Sequence, residues 1–162
     1  LGAVGVGAET VAVCDYGGEF TAVAARGHIA GTQFQDFPEV GDLRLVGDMS
    51  SDLLWKPIDA NRFSLIYAGA QKNIGPAGLT LVIVRKDILG KVSRTIPTML
   101  DYRTHIEKGS MFNTPPVVPI YAAMQTLRWL KQNGGIASME KKNIEKAVNL
   151  SNTRYCGVSA NY

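Results

Sequence analysis

The sequence predicts an α/β protein with a mixed sheet and flanking helices, because three short apolar runs precede two helical patterns. The runs are Leu43–Val46, Ser64–Gly69 and Gly78–Val84. Each is nearly continuous and is followed by polar residues, which is typical of buried strands whose ends carry functional side chains. A turn at Asn73–Gly78, which contains Gly and Pro, separates the last two runs and predicts that they are antiparallel.

Two helices are predicted after the strands. Apolar residues at spacings of three and four indicate an amphipathic helix, and they are Val117, Ile120, Tyr121, Met124, Leu127 and Leu130. Thr114 suits the N-cap, with proline just inside the helix, and Asn133–Gly135 supplies a stop. A second helix is expected from Ile136 to about Leu150, and residues 151–162 show no periodicity and are interpreted as a tail.

Composition excludes several classes of protein. With 46% hydrophobic and 19% charged residues, the 162-residue chain can bury its own core. Its 17 basic and 14 acidic residues are mixed along the sequence. They form no dense basic run of the kind that binds nucleic acid, so nucleic-acid binding is not expected. The longest apolar runs are far shorter than the roughly 18 to 20 residues that cross a bilayer, so no membrane segment is expected.

Cysteine and histidine do not suggest a metal site. Cys14 and Cys156 lie near opposite ends, and neither His28 nor His105 is close to either cysteine in the sequence. The spacing lacks the paired ligands of a zinc site, so reduced thiols are the expectation. The first residue is Leu1 rather than Met, which we interpret as a sign of a fragment or a processed product.

Lys72 is the candidate for covalent chemistry. It follows an apolar strand, has the small neighbours Ala68, Gly69 and Ala70, and precedes a Gly-Pro turn. We expect these surroundings to bury the amine partly, and a desolvated, neutral amine attacks an aldehyde. The alternative is a purely structural role, in which the small residues only allow close packing.

Two further elements suit a pyridine ring that bears a phosphate. Asp48 is placed at a strand end, where its carboxylate could stabilise a protonated ring nitrogen; the alternative is a helix cap. Asn113 and Thr114 precede a helix, whose N-terminus favours phosphate; simple capping explains them equally well.

Three strings resemble one enzyme family in wording, order and spacing. They are Asp48–Ser51, Tyr67–Gly78 and Phe112–Pro116, which read DMSS, YAGAQKNIGPAG and FNTPP. They closely resemble phosphoserine aminotransferases, of the class-V pyridoxal-phosphate aminotransferases, over about residues 31–150. The resemblance implies part of the large domain of the aspartate-aminotransferase fold, which is pyridoxal-phosphate fold type I.

The same resemblance implies an activity and a role for each site residue. It implies amino transfer between glutamate and phosphohydroxypyruvate that gives phosphoserine and 2-oxoglutarate. Lys72 would be the Schiff-base lysine and proton shuttle, Asp48 would pair with the pyridinium nitrogen of pyridoxal 5'-phosphate, and Gln71 would contact its phosphate. Asn113 and Thr114 would reach the cofactor of the partner subunit in a homodimer.

The sequence also departs from the family. Residues 1–30 form a divergent N-terminal segment, residues 31–150 the cofactor-binding portion and 151–162 the tail. Where the family has an Asn-Glu-Thr segment whose threonine touches the cofactor, this chain has Arg26–Ala30, so His28 stands near the expected threonine. Segments that stack on the ring and bind substrate have no counterpart, so the chain is expected to be incomplete.

Two other functions stay open at this stage. The chain could be a catalytically inactive module that pairs with an intact subunit, or a lysine enzyme such as an aldolase that uses no cofactor. The aldolase explains Lys72 but neither Asp48 nor the Asn113–Thr114 segment. A cytoplasmic location is expected, with the plastid as the alternative.

Overall fold

The computed structural model describes residues 14–15, 20–24 and 36–152. His28 and Cys156 lie outside this part of the chain. The strands are β1 (Cys14–Asp15), β2 (Phe20–Ala24), β3 (Arg44–Asp48), β4 (Leu65–Gly69) and β5 (Thr80–Val84). The α-helices are α1 (Tyr102–Glu107), α2 (Val117–Gln132) and α3 (Gly135–Asn152). Short 3₁₀ helices cover Ala60–Arg62, Lys86–Ile88 and Thr98–Leu100.

The described strands form one mixed sheet in the order β1-β2-β3-β4-β5. Strands β2, β3 and β4 are parallel to one another, whereas β1 and β5 run antiparallel to their neighbours. The predicted mixed α/β sheet is therefore confirmed, and so is the antiparallel pair on either side of the Asn73–Gly78 turn. Because β3 and β4 are parallel, their carboxyl ends lie at the same edge of the sheet.

One face of β3 and β4 carries the core. Alternate residues of a strand point to opposite faces, and here Leu45 in β3 with Ile66 and Ala68 in β4 are buried on one face. The remaining buried apolar residues pack on the same cluster, and they are Met49, Leu53, Phe63, Ala70, Ile74 and Ala123. Burial of a side chain the size of Ile66 stabilises the fold by about 1.5–3 kcal/mol.

Strand β5 departs from the expectation of a buried strand. It lies at an edge of the described sheet, and its Leu81 and Ile83 side chains are exposed. An apolar run predicts a strand whose side chains favour burial. Whether they are buried depends on which other element packs against β5. No other described strand pairs with the outer edge of β5.

Helix α2 is present, but the predicted N-cap at Thr114 is wrong. The helix begins at Val117, with Pro116 at the N-cap position and no side-chain cap. The cause is the pair of prolines, since a residue that precedes proline is pushed out of the helical region. Pro115 therefore lies outside the helix, and the first helical bond runs from the Ile120 amide to the Pro116 carbonyl, at 3.1 Å.

The predicted end of α2 is confirmed, and so is the second helix. Asn133 is the C-cap residue of α2, and α3 spans Gly135–Asn152. The apolar stripe of α2 is largely exposed, however, and Ala123 is the residue of α2 that is fully buried. Within the described part of the chain, no helix is long and apolar enough to cross a membrane.

Candidate active site

Asp48, the last residue of β3, has a carboxylate that the following turn holds in place. Its Oδ1 atom accepts a hydrogen bond from the Ser50 amide at 3.0 Å and another from the Ser50 hydroxyl at 2.7 Å. These bonds resemble those of a helix cap, which was the alternative prediction for Asp48, but a turn rather than a helix follows at residues 50–54. The carboxylate is thus fixed at a strand end.

The ends of β3 and β4 are joined at this point. The Gly69 amide donates to the Ser50 hydroxyl at 3.0 Å, and the Met49 amide donates to the Tyr67 carbonyl at 2.8 Å. Ser50 therefore links the Asp48 carboxylate to the strand that leads to Lys72. A second link comes from Asn73, whose side-chain amide donates to the Leu53 carbonyl at 2.7 Å.

Gly69 makes room for the Gln71 side chain. A Cβ atom built on Gly69 would lie 2.6 Å from Gln71 Oε1 and 3.0 Å from Gln71 Nε2. Real Cβ atoms do not approach so closely, so the amide of Gln71 folds across the bare Cα of Gly69. This arrangement places a polar amide beside the strand end that Ser50 ties to Asp48.

Lys72 lies in the turn after β4 and is exposed. The expectation that small neighbours bury its amine is therefore wrong for the described chain. Ala68 and Ala70 are fully buried, but the Ala70 carbonyl accepts from the amides of Ile74 and Gly75, at 3.1 and 2.8 Å. The turn that these bonds close buries Ala70 and Ile74 and leaves Lys72 on its outer side.

The lysine turn packs directly on helix α2. A Cβ atom on Gly75 would lie 3.2 Å from both Cα and Cβ of Ala123 and 3.3 Å from its amide nitrogen. Backbone therefore touches backbone, with no side chain of Gly75 between them. This contact sets the distance between the turn that carries Lys72 and helix α2.

Tyr67 lies beside Asp48 in the sheet register. Partial burial of the ring raises the pKa of the Tyr67 phenol, and the negative charge of the neighbouring Asp48 carboxylate raises it further. The phenol and the carboxylate therefore form a pair in which the phenol holds its proton.

The raised pKa predicts how stability depends on pH. The folded chain holds the phenol proton more tightly than the unfolded chain, so the stabilisation is complete below the unfolded pKa of about 10 and is lost as the pH rises through the folded value. Denaturant titrations of the wild type and Tyr67→Phe from about pH 9 to about pH 11 should show their difference in unfolding free energy shrinking. Asp48→Asn should narrow the pH range over which this difference shrinks, because it removes one cause of the raised Tyr67 pKa. A difference in unfolding free energy that does not change with pH would contradict the raised pKa of Tyr67.

Asn113 and Thr114 lie in the segment that precedes α2. Both side chains are exposed, and Asn113 is part of a bend. The structure thus groups Asp48, Gln71 and Lys72 at one edge of the sheet.

Ser50, Gly69 and Tyr67 belong to the site but were not predicted from the sequence. A serine two positions after an aspartate is a signal for a turn closed by the aspartate side chain, so Ser50 could have been found. Tyr67 and Gly69 depend on the pairing of β3 with β4, which no local pattern reveals.

The fold is that of an aminotransferase. The aminotransferase class-V family model matches residues 19–153, and the chain belongs to this family. The match begins upstream of Gly31, where the resemblance was expected to start, so residues 19–27 do resemble the family. The boundaries at residues 30 and 150 stay predictions.

The chain is similar to phosphoserine aminotransferases. It is 62% identical over 120 residues to that of Parabacteroides distasonis, covering 74% of this chain and 34% of the relative. It is 52% identical over 125 residues to that of Lysinibacillus sphaericus, covering 77% and 34%. The chain therefore spans about a third of the length of these curated relatives.

Solved structures agree with the predicted fold. Phosphoserine aminotransferase from Bacillus circulans subsp. alkalophilus superposes with a TM-score of 0.78 at 42% identity, over 82% of this chain and 37% of that one. The pyridoxal-phosphate-bound enzyme from Trichomonas vaginalis gives a TM-score of 0.76 at 38% identity, over 81% and 36%. The prediction of part of a fold type I large domain is confirmed.

Proposed function

We propose that this chain binds pyridoxal 5'-phosphate and takes part in amino transfer between glutamate and phosphohydroxypyruvate, giving phosphoserine and 2-oxoglutarate. In this proposal Lys72 attaches the cofactor, Asp48 faces its ring nitrogen and Gln71 contacts its phosphate. The names of the similar proteins support the reaction, and one of the solved structures is described as bound to pyridoxal phosphate.

The observation that carries the proposal is the hydrogen-bonded junction of β3 and β4. Ser50 holds the Asp48 carboxylate and binds the Gly69 amide, and Lys72 follows Gly69 by three residues. The oriented Asp48 carboxylate suits the ring nitrogen of the cofactor, and the Gln71 side-chain amide suits its phosphate. Lys72, in the turn that follows, suits its aldehyde. The bare Cα of Gly69 keeps Gln71 at the same edge. The residues present therefore fit the group.

Each residue has a distinct task in this reaction. When bound, the cofactor supplies an electron sink for the bond that is broken at the substrate's α-carbon. Lys72 attaches the cofactor and carries a proton at Nζ. Asp48 stabilises positive charge at the ring nitrogen, because its oriented carboxylate needs no reorganisation. Gln71 offers amide donors to the phosphate oxygens.

A homodimer is part of the proposal. Asn113 and Thr114 are exposed, and apolar side chains around them are exposed too. These side chains are Met111, Phe112, Val117, Val118 and Tyr121. Grouped exposed apolar residues mark interaction surfaces, and a second copy seated here would bring Asn113 and Thr114 toward the partner's phosphate.

On the resemblance alone, we also propose a cytoplasmic location, with the plastid as the alternative.

Cofactor trapping tests the proposal. Addition of pyridoxal 5'-phosphate to the chain should produce a visible absorbance band, and borohydride should then fix the label on Lys72, as found by peptide mapping. Sedimentation of the same sample should give twice the mass of the chain. A label on another lysine, or no band, would count against the proposal. Trapping of a carbonyl substrate without cofactor would support an aldolase instead.

A catalytically inactive partner module is the second candidate, favoured by the exposure of Lys72 to water. Exclusion of water from a site protects reactive intermediates from hydrolysis, and an exposed lysine lacks that protection. Co-expression with an intact phosphoserine aminotransferase separates the two functions. A module should co-purify with the intact subunit and show no amino transfer alone, whereas an enzyme should show activity in its own homodimer.

A further inference from the structure

We propose that Ser50 is a positioning residue of the cofactor site, which orients the Asp48 carboxylate toward the ring nitrogen and ties it to the strand that leads to Lys72. This inference rests on the proposed function, since it concerns the same site. It adds a residue to which neither the family resemblance nor the sequence analysis gave a role.

The Ser50 hydroxyl uses both of its hydrogen-bonding capacities. It donates to Asp48 Oδ1 at 2.7 Å and accepts from the Gly69 amide at 3.0 Å. A hydroxyl has one proton to give and lone pairs to receive, so it can bridge an anion and an amide at once. The side chain thus couples the orientation of Asp48 to the position of β4.

The second donor to the carboxylate also comes from Ser50. Its backbone amide reaches the same Oδ1 atom at 3.0 Å. Two donors on Oδ1 resist rotation of the carboxylate and so orient it for the protonated ring nitrogen. Hydrogen bonds to a carboxylate are stronger than those to a neutral acceptor, so the two Ser50 donors hold the Asp48 side chain firmly.

The bridge extends to the phosphate end of the site. The Gly69 amide is held by Ser50, while the Gln71 side chain lies against the Gly69 Cα. One hydroxyl therefore connects the residue assigned to the ring nitrogen with the residue assigned to the phosphate. Loss of the hydroxyl should loosen the ring-nitrogen contact first, because Asp48 is bonded to it directly.

Two ligands and four proteins test this role. The ligands are pyridoxal 5'-phosphate and its 1-deaza analogue, which has a carbon in place of the ring nitrogen. Equilibrium binding is measured by absorbance for the wild type, Ser50→Ala, Ser50→Thr and the control Ser51→Ala, which alters a neighbouring half-buried serine. Ser50→Ala should bind pyridoxal phosphate about tenfold more weakly, the effect of one lost charge-assisted hydrogen bond, and bind the analogue unchanged. Ser50→Thr and Ser51→Ala should resemble the wild type.

Other outcomes separate this inference from the proposed function. Equal weakening of both ligands would mean a purely structural role and overturn the inference, as would unchanged binding of pyridoxal phosphate by Ser50→Ala. Failure of the wild type to bind pyridoxal phosphate would instead overturn the proposed function. Should Ser50→Ala not fold, Ser50→Cys, which keeps the size but is a weak donor, must show the same selective loss for the inference to stand.

Discussion

Replacement of Lys72 with alanine is expected to remove the borohydride-stable cofactor label from the site and to lower amino transfer by at least about a thousandfold. The variant loses both the amine that attaches the cofactor and the group that transfers the proton, and positioned proton transfer alone contributes about 10²–10⁴-fold. Labelling is measured by mass spectrometry of the reduced protein, and transfer by the formation of 2-oxoglutarate from glutamate.

The matched control is Lys131→Ala, at an exposed lysine in the last turn of α2. It should keep the label and the activity. Both variants should melt close to the wild type, because substitutions of exposed residues change stability by about 0.5 kcal/mol or less. Retention of a stoichiometric label in Lys72→Ala would show that another amine holds the cofactor.

Replacement of Gly75 with valine is expected to destabilise the fold by about 2 kcal/mol, the usual range for overpacking. The first added carbon would already lie 3.2 Å from Cα and Cβ of Ala123, and backbone cannot turn aside as a flexible side chain can. The turn would have to move away from α2, and this movement would displace Lys72, which lies in the same turn. The measurement is the urea midpoint with its slope, which gives the change in free energy.

Ala77→Val is the control in the same turn, since Ala77 is exposed. It should unfold within about 0.5 kcal/mol of the wild type. Gly75→Val should also bind pyridoxal phosphate more weakly at denaturant-free conditions, because its turn is displaced. If both variants unfold at the same urea concentration, the Gly75–Ala123 contact does not support the fold.

Strands, turn and helices were largely predictable because their signals are local. Apolar runs, the Gly-Pro turn and the spacing of α2 each lie within a few neighbouring residues. The start of α2 was the exception, although its cause is also local. Thr114 has cap chemistry, but the two prolines after it postpone the helix to Val117.

Burial was predicted less well than secondary structure. Leu81 and Ile83 in β5 are apolar yet exposed, and so are Val117 and Tyr121 in α2. An apolar pattern states which side chains favour burial. It does not state whether another element covers them, since cover comes from parts of the chain or of a partner that are distant in sequence.

Local patterns were enough to predict the class of fold and to place Asp48 and Lys72 after two strands. The bridge from Ser50 to both strand ends, the position of Tyr67 beside Asp48 and the contact of Gly75 with Ala123 became visible in the folded chain. Neighbouring residues specify a strand or a turn, whereas strand register and backbone contacts depend on how separate elements pack.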